Sequence, residues 1–146
     1  MRLSEILRDK PLRIVDLPPT ATAIEAAALM KAQRVGAIIV RDDQGRLLGL
    51  VSERDLALAI AMHGAALFRI RLSDLMSTHA PTAHPGDAVR DVTRVMTDRR
   101  ARHVPVIDDE RVVGVVSIGD LLKARLAEKT QENAVLLDLT RARIPV

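Results

Sequence analysis

The sequence predicts an α+β protein in which two βαββα repeats pack sheet to sheet and a helical extension follows them. Two near-identical heptapeptides carry this prediction, G-L-V-S-E-R-D at Gly49–Asp55 and G-V-V-S-I-G-D at Gly114–Asp120, 65 positions apart. Upstream of them, Ala37–Val40 aligns with His103–Val106 at an offset of 66. Motifs that keep one register indicate a repeat architecture. A lone copy would leave one sheet face in water, so two copies are expected to bury each other.

The first repeat is predicted to run strand, helix, strand, strand, helix. An extended segment over Arg13–Leu17 ends at two prolines, and Thr22 with Glu25 three residues later has the pattern of a helix capping box. β-Branched residues favour strands, whereas Asp-Asp-Gln-Gly favours a hairpin turn. The later elements are therefore a strand over Val35–Val40, a turn over Asp42–Gly45, a strand over Arg46–Val51 and a helix from Ser52 to about His63.

The second repeat follows the same order. Pro85–Asp87 is predicted to open a helix. The buried face of that helix carries Val89, Val92 and Met96 at helical spacing. The remaining elements are paired strands over Val104–Ile107 and Arg111–Val116, and a helix that begins at Ser117.

The chain is predicted to divide into a first repeat over residues 1–66, a second repeat over 67–128 and a C-terminal helical extension over 129–146. Gly64–Arg71 is the expected linker, and the segments that lead into the repeats match, as L-S-E-I-L at Leu3–Leu7 and L-S-D-L-M at Leu72–Met76. The extension has no counterpart in the first repeat. Its apolar stripe could pack on its own domain or form a dimer contact, and both alternatives stay open. The stripe consists of Leu122, Leu126, Leu136, Leu137 and Leu139.

Composition and charge exclude several kinds of site. The chain has no cysteine, which rules out disulfides, thiolate zinc sites and a cysteine nucleophile. It has one Phe and no Tyr or Trp, so a flat ligand would be held by aliphatic side chains and backbone. The 22 basic and 19 acidic residues are interspersed, which fits either a mixed solvated surface or arginines that converge on phosphate. Without a basic block or aromatic platforms, nucleic acid is not an expected partner.

The sequence gives no indication of a membrane segment, a metal site or a catalytic set. No apolar run approaches the ~20 residues that cross a bilayer, and the first residues lack the apolar core of a secretory signal. We therefore expect a cytoplasmic protein without membrane contact. The four histidines show no H-x-x-x-H or H-E-x-x-H spacing, so no metal site is expected. A nucleophile elbow and a P-loop are also missing, so we do not expect an enzyme.

The two Ser-x-x-Asp pairs, Ser52 with Asp55 and Ser117 with Asp120, have two interpretations. Serine is a preferred N-cap and an acid in the first turn suits the helix dipole, so capping alone could explain both pairs. The alternative is half a nucleotide site, because helix N-termini favour phosphate and a carboxylate can accept from both ribose hydroxyls. Capping does not account for the glycine that stands three residues before each serine.

Together these features resemble a tandem pair of CBS domains, the cystathionine-β-synthase-type regulatory module also called a Bateman module. The resemblance rests on the two G-h-h-S-x-x-D endings, the A-I-I-V and H-V-P-V strands, and the helix starts led by Pro19 and Pro85, and it covers roughly residues 3–128. It implies two clefts for adenosine-containing ligands such as AMP, ADP, ATP or S-adenosylmethionine. It further implies a homodimer of modules, no required cofactor, and an effector protein that responds to ligand occupancy.

The resemblance also implies which residues form each cleft. The aspartate of each final motif holds the ribose, the serine lies by the ribose-phosphate, and adenine meets the backbone of the middle strand and of the segment before the first helix. The first site is thus expected at Thr20, Ala21, Val35, Gly36, Ala37, Ser52, Arg54 and Asp55. The second site is expected at Thr82, His84, Arg102, His103, Val104, Pro105, Ser117 and Asp120.

The two sites are expected to differ in their phosphate ligands. Arg54 is either a phosphate ligand of the first site or an exposed helix arginine. The second repeat has Gly119 in that place and offers Arg102 and His103 instead, so we favour the second site for a phosphorylated ligand. The alternative function is a ligand-free scaffold for dimerisation or protein docking.

Overall fold

The computed structural model describes residues 1–9 and 14–142 of the chain. Within those residues, helices flank two small sheets, one in each repeat. The elements in chain order are α1 (Leu3–Asp9), β1 (Asp16–Leu17), α2 (Ala23–Gln33), β2 (Ala37–Arg41), β3 (Leu47–Ser52), α3 (Glu53–His63), a 3₁₀ helix (Gly64–Arg69), α4 (Leu72–Leu75), α5 (Val89–Arg99), β4 (His103–Asp108), β5 (Arg111–Ser117) and α6 (Ile118–Ala142).

Each sheet is built around an antiparallel pair of strands. In the first repeat the order is β1-β2-β3, with β1 parallel to β2. In the second repeat β4 pairs with β5, and Ala83 forms a parallel bridge to Val106 in the place that β1 occupies in the first sheet. The pairing register shifts at equivalent points, after Val40 and after Val106. This duplicated α+β architecture confirms the predicted fold class.

The two sheets face each other across a shared apolar layer. Ala37, Ile39 and Leu50 of the first sheet are buried in one cluster with Val112 of the second, and Val115 packs against that cluster. All four buried residues are at most 9% exposed. The predicted sheet-to-sheet packing is therefore confirmed, and it brings residues of one repeat opposite residues of the other.

The capping box predicted for α2 is present. Oγ1 of Thr22 accepts a hydrogen bond from the N–H of Glu25 at 3.2 Å, and the Glu25 carboxylate accepts from the N–H of Thr22 at 3.1 Å. This reciprocal pair satisfies two N–H groups that would otherwise lack partners at the helix start. The prediction succeeds because the motif is local in sequence.

The short helix at the start of the chain packs on the second repeat. Leu3 and Leu7 of α1 belong to the core of that repeat. The N–H groups of Leu3 and Ser4 donate to the carbonyls of Asp87 (3.0 Å) and Pro85 (2.9 Å). The segment that leads into the first repeat thus completes the core of the second.

Helix α4, which leads into the second repeat, makes the equivalent contacts with the first. Leu72 is fully buried in the first core. The N–H groups of Leu72 and Ser73 donate to the carbonyls of Ala21 (2.8 Å) and Pro19 (3.1 Å). The two leading helices are therefore exchanged between the repeats, and each core depends on both halves of the chain.

This exchange explains the glycine in each heptapeptide. A Cβ atom at Gly114 would lie 2.7 Å from Cδ2 of Leu7, and one at Gly49 would lie 2.7 Å from Cγ and Sδ of Met76. Leu7 and Met76 occupy the last position of the two matching leading segments. A leading helix can cross the strand this closely only where the strand carries no side chain. Both glycines therefore allow a leading segment to pack closely against a strand of the other repeat.

Helix α5 begins later than the sequence predicts. Its first helical residue is Val89, and its N-cap makes no side-chain hydrogen bond. Pro85–Asp87 instead forms a turn, because the Asp87 carboxylate accepts from the N–H of His84 at 2.8 Å. The N–H of Val89 donates to the carbonyl of Met1 at 3.0 Å, so the exchanged N-terminal segment takes over part of the capping.

Other boundaries also differ from the prediction. Strand β1 is limited to Asp16–Leu17, and Arg13 lies outside the described residues. The linker contains the 3₁₀ helix. The extension is no separate element, since α6 runs from Ile118 to Ala142 without a break, and residues 143–146 lie outside the described residues. The division of the chain at residues 66 and 128 stays a prediction.

The exchange predicts that Gly49→Ala destabilises the fold. The new Cβ would lie 2.9 Å from Cβ of Met76 as well, a contact that no rotamer change relieves. We expect a loss of about 1–3 kcal/mol in the free energy of unfolding, the range for overpacked cores. Urea denaturation followed by circular dichroism measures it.

The matched control is Gly119→Ala. A Cβ there meets only Oγ of Ser117 at 3.6 Å, and the position is helical, so alanine should be neutral or stabilising by up to about 1 kcal/mol. Equal stability of the two variants would contradict the close crossing at Gly49.

Candidate ligand-binding cleft

The candidate site is built on the strand-to-helix turn between β3 and α3. Oγ of Ser52 accepts a hydrogen bond from the N–H of Asp55 at 3.2 Å. Oδ2 of Asp55 accepts from the N–H of Ser52 at 2.8 Å and from its hydroxyl at 3.0 Å. The capping interpretation is therefore confirmed here. All the described hydrogen bonds of the Asp55 carboxylate use Oδ2, which holds the group in one orientation at the start of α3.

The turn between β5 and α6 has the same geometry. Oδ2 of Asp120 accepts from the N–H of Ser117 at 2.8 Å, and Oγ of Ser117 accepts from the N–H of Asp120 at 3.1 Å. Each helix start is also tied to the beginning of the preceding strand pair. The N–H of Glu53 donates to the carbonyl of Gly36 (3.0 Å), and that of Ile118 donates to the carbonyl of Arg102 (2.9 Å). The two repeats thus present equivalent turns.

A cleft of about 890 Å³ opens beside the first of these turns. This volume lies in the range of pockets that bind small molecules. The first repeat provides the start of β2, part of β3 and the first turn of α3. The second repeat provides the segment that precedes α5, the end of α5, the start of β4 and the first residue of α6. The lining residues are Gly36, Leu50, Ser52, Glu53, Arg54, Asp55, Ser77, His79, Ala80, Pro81, Met96, Thr97, Arg99, Arg100, Ala101, Arg102, His103 and Ile118.

The cleft combines residues from both predicted sites. Four come from the set expected for the first site, and Arg102 with His103 come from the set expected for the second. This mixing follows from the sheet-to-sheet packing, which turns the start of β4 toward the start of α3. The four from the first set are Gly36, Ser52, Arg54 and Asp55.

The other predicted residues are not among those that line this cleft. From the first set these are Thr20, Ala21, Val35 and Ala37, and from the second they are Thr82, His84, Val104, Pro105, Ser117 and Asp120. Two of the backbone groups expected to meet adenine have protein partners. The Thr20 carbonyl accepts from the guanidinium of Arg71 at 2.9 Å, and the Ala21 carbonyl accepts from the N–H of Leu72. The exchanged helix α4 thus uses groups that the sequence analysis assigned to a ligand.

Two arginines of the cleft were not singled out by the sequence analysis. Helix α5 ends at Arg99, and Arg100 adopts a left-handed backbone conformation with φ of 53°. This turn leads the chain into β4, and Arg99, Arg100 and Arg102 all line the cleft. The guanidinium of Arg99 donates to the carbonyl of His79 at 2.9 Å. The run Arg99–Arg102 is visible in the sequence, but its position opposite α3 depends on tertiary packing.

The shape of the cleft depends on the absence of a side chain at Gly36. A Cβ atom there would lie 3.3 Å from Cε1 of His103 and 3.6 Å from Oε1 of Glu53. A larger residue would therefore crowd the point where the two repeats meet. The cleft offers a fixed carboxylate, a serine hydroxyl and several guanidinium groups, which suits a ligand that carries both hydroxyls and phosphate.

The described residues include no group of three or more His, Asp or Glu side chains placed to hold a metal ion. Among the helices of that same part of the chain, none has the length and apolar character to cross a membrane.

The family model of the CBS domain matches the chain twice, at residues 4–62 and 72–127. The chain belongs to the CBS domain family. It is 30% identical over 133 residues to the CBS domain-containing protein YhcV of Bacillus subtilis, which covers 91% of this chain and 94% of that protein.

Two solved CBS structures that resemble this one hold ligands. The CBS domain pair of protein MJ0100, in complex with 5′-methylthioadenosine and S-adenosyl-L-methionine, superposes with a TM-score of 0.77 at 26% identity, over 88% of this chain and 98% of that one. CBS domain protein PAE2072 from Pyrobaculum aerophilum, complexed with AMP, superposes with a TM-score of 0.73 at 32% identity, over 82% of this chain and 89% of that one.

The reciprocal cap predicts that Ser52→Ala destabilises the protein. The variant leaves the N–H of Asp55 without its acceptor, and N-cap replacements of this kind cost about 1 kcal/mol. Urea denaturation should show this loss. The control is Ser73→Ala, because Ser73 is exposed on α4 and its hydroxyl makes no described hydrogen bond. A Ser52→Ala protein as stable as Ser73→Ala would show that the cap is dispensable.

Proposed function

We propose that this protein is a regulatory ligand sensor that binds an adenosine-containing nucleotide in the cleft beside α3. The observation that carries the proposal is the meeting of the Ser52–Asp55 turn with Arg102 and His103 across one cleft. A regulatory role without catalysis, and without a required cofactor, is part of the proposal. The cytoplasmic location stays a prediction.

Each lining group has a role in this proposal. The Asp55 carboxylate accepts hydrogen bonds from the ribose hydroxyls, since its orientation is fixed through Oδ2. The hydroxyl of Ser52 and the guanidinium of Arg54 lie beside the ribose-phosphate. Adenine packs against aliphatic side chains, because the only aromatic residue other than histidine is Phe68 and it does not line the cleft. Leu50 and Met96 are apolar residues of the lining.

The ligands of related structures support this class of ligand. AMP is bound by PAE2072, and 5′-methylthioadenosine with S-adenosyl-L-methionine is bound by MJ0100. All three molecules contain adenosine, so the shared chemistry is a purine and a ribose diol. A second adenosine site at the Ser117–Asp120 turn stays a prediction.

Regulation follows from the position of the cleft. Its walls belong to different repeats, so a ligand that contacts both walls favours one relative arrangement of the repeats. We propose that the protein works as a homodimer and that an effector protein binds one arrangement in preference to the other. Ligand occupancy then shifts the population of the two states.

The second candidate function is a scaffold that pairs with another copy of itself. Helix α6 carries exposed apolar side chains along its length, each at least 52% exposed, and the family model ends at residue 127, before the last part of this helix. Contiguous exposed apolar surface is typical of interaction sites. The exposed residues are Leu122, Leu126, Val135, Leu136, Leu137 and Leu139.

The sensor proposal predicts thermal stabilisation by an adenosyl compound. A panel of AMP, ADP, ATP, S-adenosylmethionine, NADH and GTP is added to the protein and unfolding is followed by circular dichroism. A ligand at about 100 times its dissociation constant should stabilise the fold by about 2.7 kcal/mol. Asp55→Asn should remove the shift, because asparagine keeps the shape of the cap but offers an amide to the ribose hydroxyls.

The control for this measurement is Asp74→Asn. Asp74 is also an acid in the first turn of a helix, but it does not line the cleft. If Asp55→Ala and Asp120→Ala combined leave nucleotide affinity unchanged, the assignment of the aspartates is wrong. A flat result across the panel would favour the scaffold.

The scaffold proposal predicts that removal of residues 129–146 lowers self-association. Sedimentation velocity of the full chain and of the truncated chain at equal concentration measures this, with circular dichroism as the check on folding. A truncated protein that still dimerises would move the contact to the exposed apolar residues of α3, which include Leu58 and Met62.

A further inference from the structure

The cleft beside α3 carries an excess of fixed positive charge. Four arginines line it, one in the first turn of α3 and three at the end of α5 and the start of β4, against two acids, Glu53 and Asp55. None of the four forms a salt bridge with a described residue. The arginines are Arg54, Arg99, Arg100 and Arg102.

The position of Arg54 adds to this observation. A cation in the first turn of a helix faces the positive end of the helix dipole, which is unfavourable unless an anion lies between them. The turn also carries the Ser52 and Asp55 pair, so an anion bound there would sit next to a group that accepts from hydroxyls. Glu53 and Asp55 in the same turn offset part of this unfavourable interaction, and an anionic ligand would offset more of it.

Most of the four arginines have no cationic counterpart at the equivalent positions of the repeat. At the positions equivalent to Arg54, Arg99 and Arg102, the other repeat carries Gly119, Gln33 and Gly36. Only Arg100 has a cationic counterpart, Arg34. The two equivalent turns thus share the Ser-x-x-Asp pattern, but an arginine stands in the first turn of only α3, and this arginine lines the cleft together with Arg99, Arg100 and Arg102.

We propose that this cleft takes one adenine nucleotide with two or three phosphates per chain, and discriminates against S-adenosylmethionine. The inference deepens the proposed function and rests on it. Each added phosphate brings negative charge to guanidinium groups that form no salt bridge with a described residue, and guanidinium–phosphate contacts are among the strong polar contacts. S-adenosylmethionine carries a sulfonium and an ammonium against one carboxylate, so its net charge is positive and the four arginines repel it.

The arrangement of the cleft also orders the parts of the ligand. Ribose lies at Asp55 and the first phosphate at Ser52 and Arg54. The chain of phosphates then extends across the cleft toward Arg99 and Arg102 on the other repeat. A nucleotide with several phosphates thus spans both walls, whereas AMP reaches mainly the first wall. The proposed regulation therefore depends on the number of phosphates that the nucleotide carries.

The test is isothermal titration calorimetry of the full chain with AMP, ADP, ATP and S-adenosylmethionine in metal-free buffer. We expect affinity to rise from AMP to ADP to ATP, at least tenfold overall, and ATP to bind about 100-fold more tightly than S-adenosylmethionine. Stoichiometry should be one ATP per chain, and ATP affinity should fall steeply with salt. Asp55→Asn should abolish ATP binding, while Asp74→Asn, which changes an acid outside the cleft, should retain it.

The matched variants are Arg102→Gln and Arg94→Gln. The Arg102 side chain is exposed and makes no described hydrogen bond, so its loss should leave the fold intact. We expect it to lower ATP affinity about tenfold and AMP affinity less than threefold. Arg94 is an exposed residue of α5 that does not line the cleft. Arg94→Gln should therefore change neither the affinity for ATP nor the affinity for AMP.

The outcomes separate the two proposals. If AMP or S-adenosylmethionine binds at Asp55 as tightly as ATP, or Arg102→Gln leaves the ratio of ATP to AMP affinity unchanged, the preference for several phosphates is overturned and the adenosyl sensor stands. If no member of the panel binds, both proposals are overturned. Two ATP molecules per chain of equal affinity would overturn the asymmetry between the repeats.

Discussion

The exchange of leading helices is the constraint on which the rest of this structure depends. α1 completes the second core through Leu3 and Leu7, and α4 completes the first core through Leu72. Both crossings pass over a strand glycine with no space for a Cβ atom. Each half of the chain therefore lacks part of its core when alone, and the two repeats must fold together. The duplicated glycine is a consequence of this packing.

The exchange also determines where a ligand can bind. Because α4 takes hydrogen-bond acceptors at Pro19 and Ala21, the segment before α2 is occupied by protein. The packed sheets instead bring the end of α5 opposite the start of α3, and the cleft opens between them. A ligand in this cleft would contact both repeats, which is the basis of the proposed regulatory function.

Capping by the Ser-x-x-Asp turn is compatible with the proposed ligand binding. The cap uses Oδ2 of Asp55 and the hydroxyl of Ser52, and this fixes the carboxylate before any ligand arrives. A preorganised acceptor loses less conformational entropy on binding than a mobile one. The two backbone N–H hydrogen bonds of this cap also exist at Ser117 and Asp120, so the capping box itself does not distinguish the two turns. The turns differ in the residue before the aspartate, which is Arg54 in the first and Gly119 in the second.

The sequence alone determined the repeat, its fold class, the caps at Thr22, Ser52 and Ser117 and the strands of each hairpin, because these depend on residues within a few positions of one another or on duplication. It did not determine that Gly49 and Gly114 make room for helices from the other half of the chain. Nor did it determine that Arg99 and Arg100 join Arg54 in one cleft. Contacts between distant segments follow from how the sheets pack, and only the tertiary structure decided them.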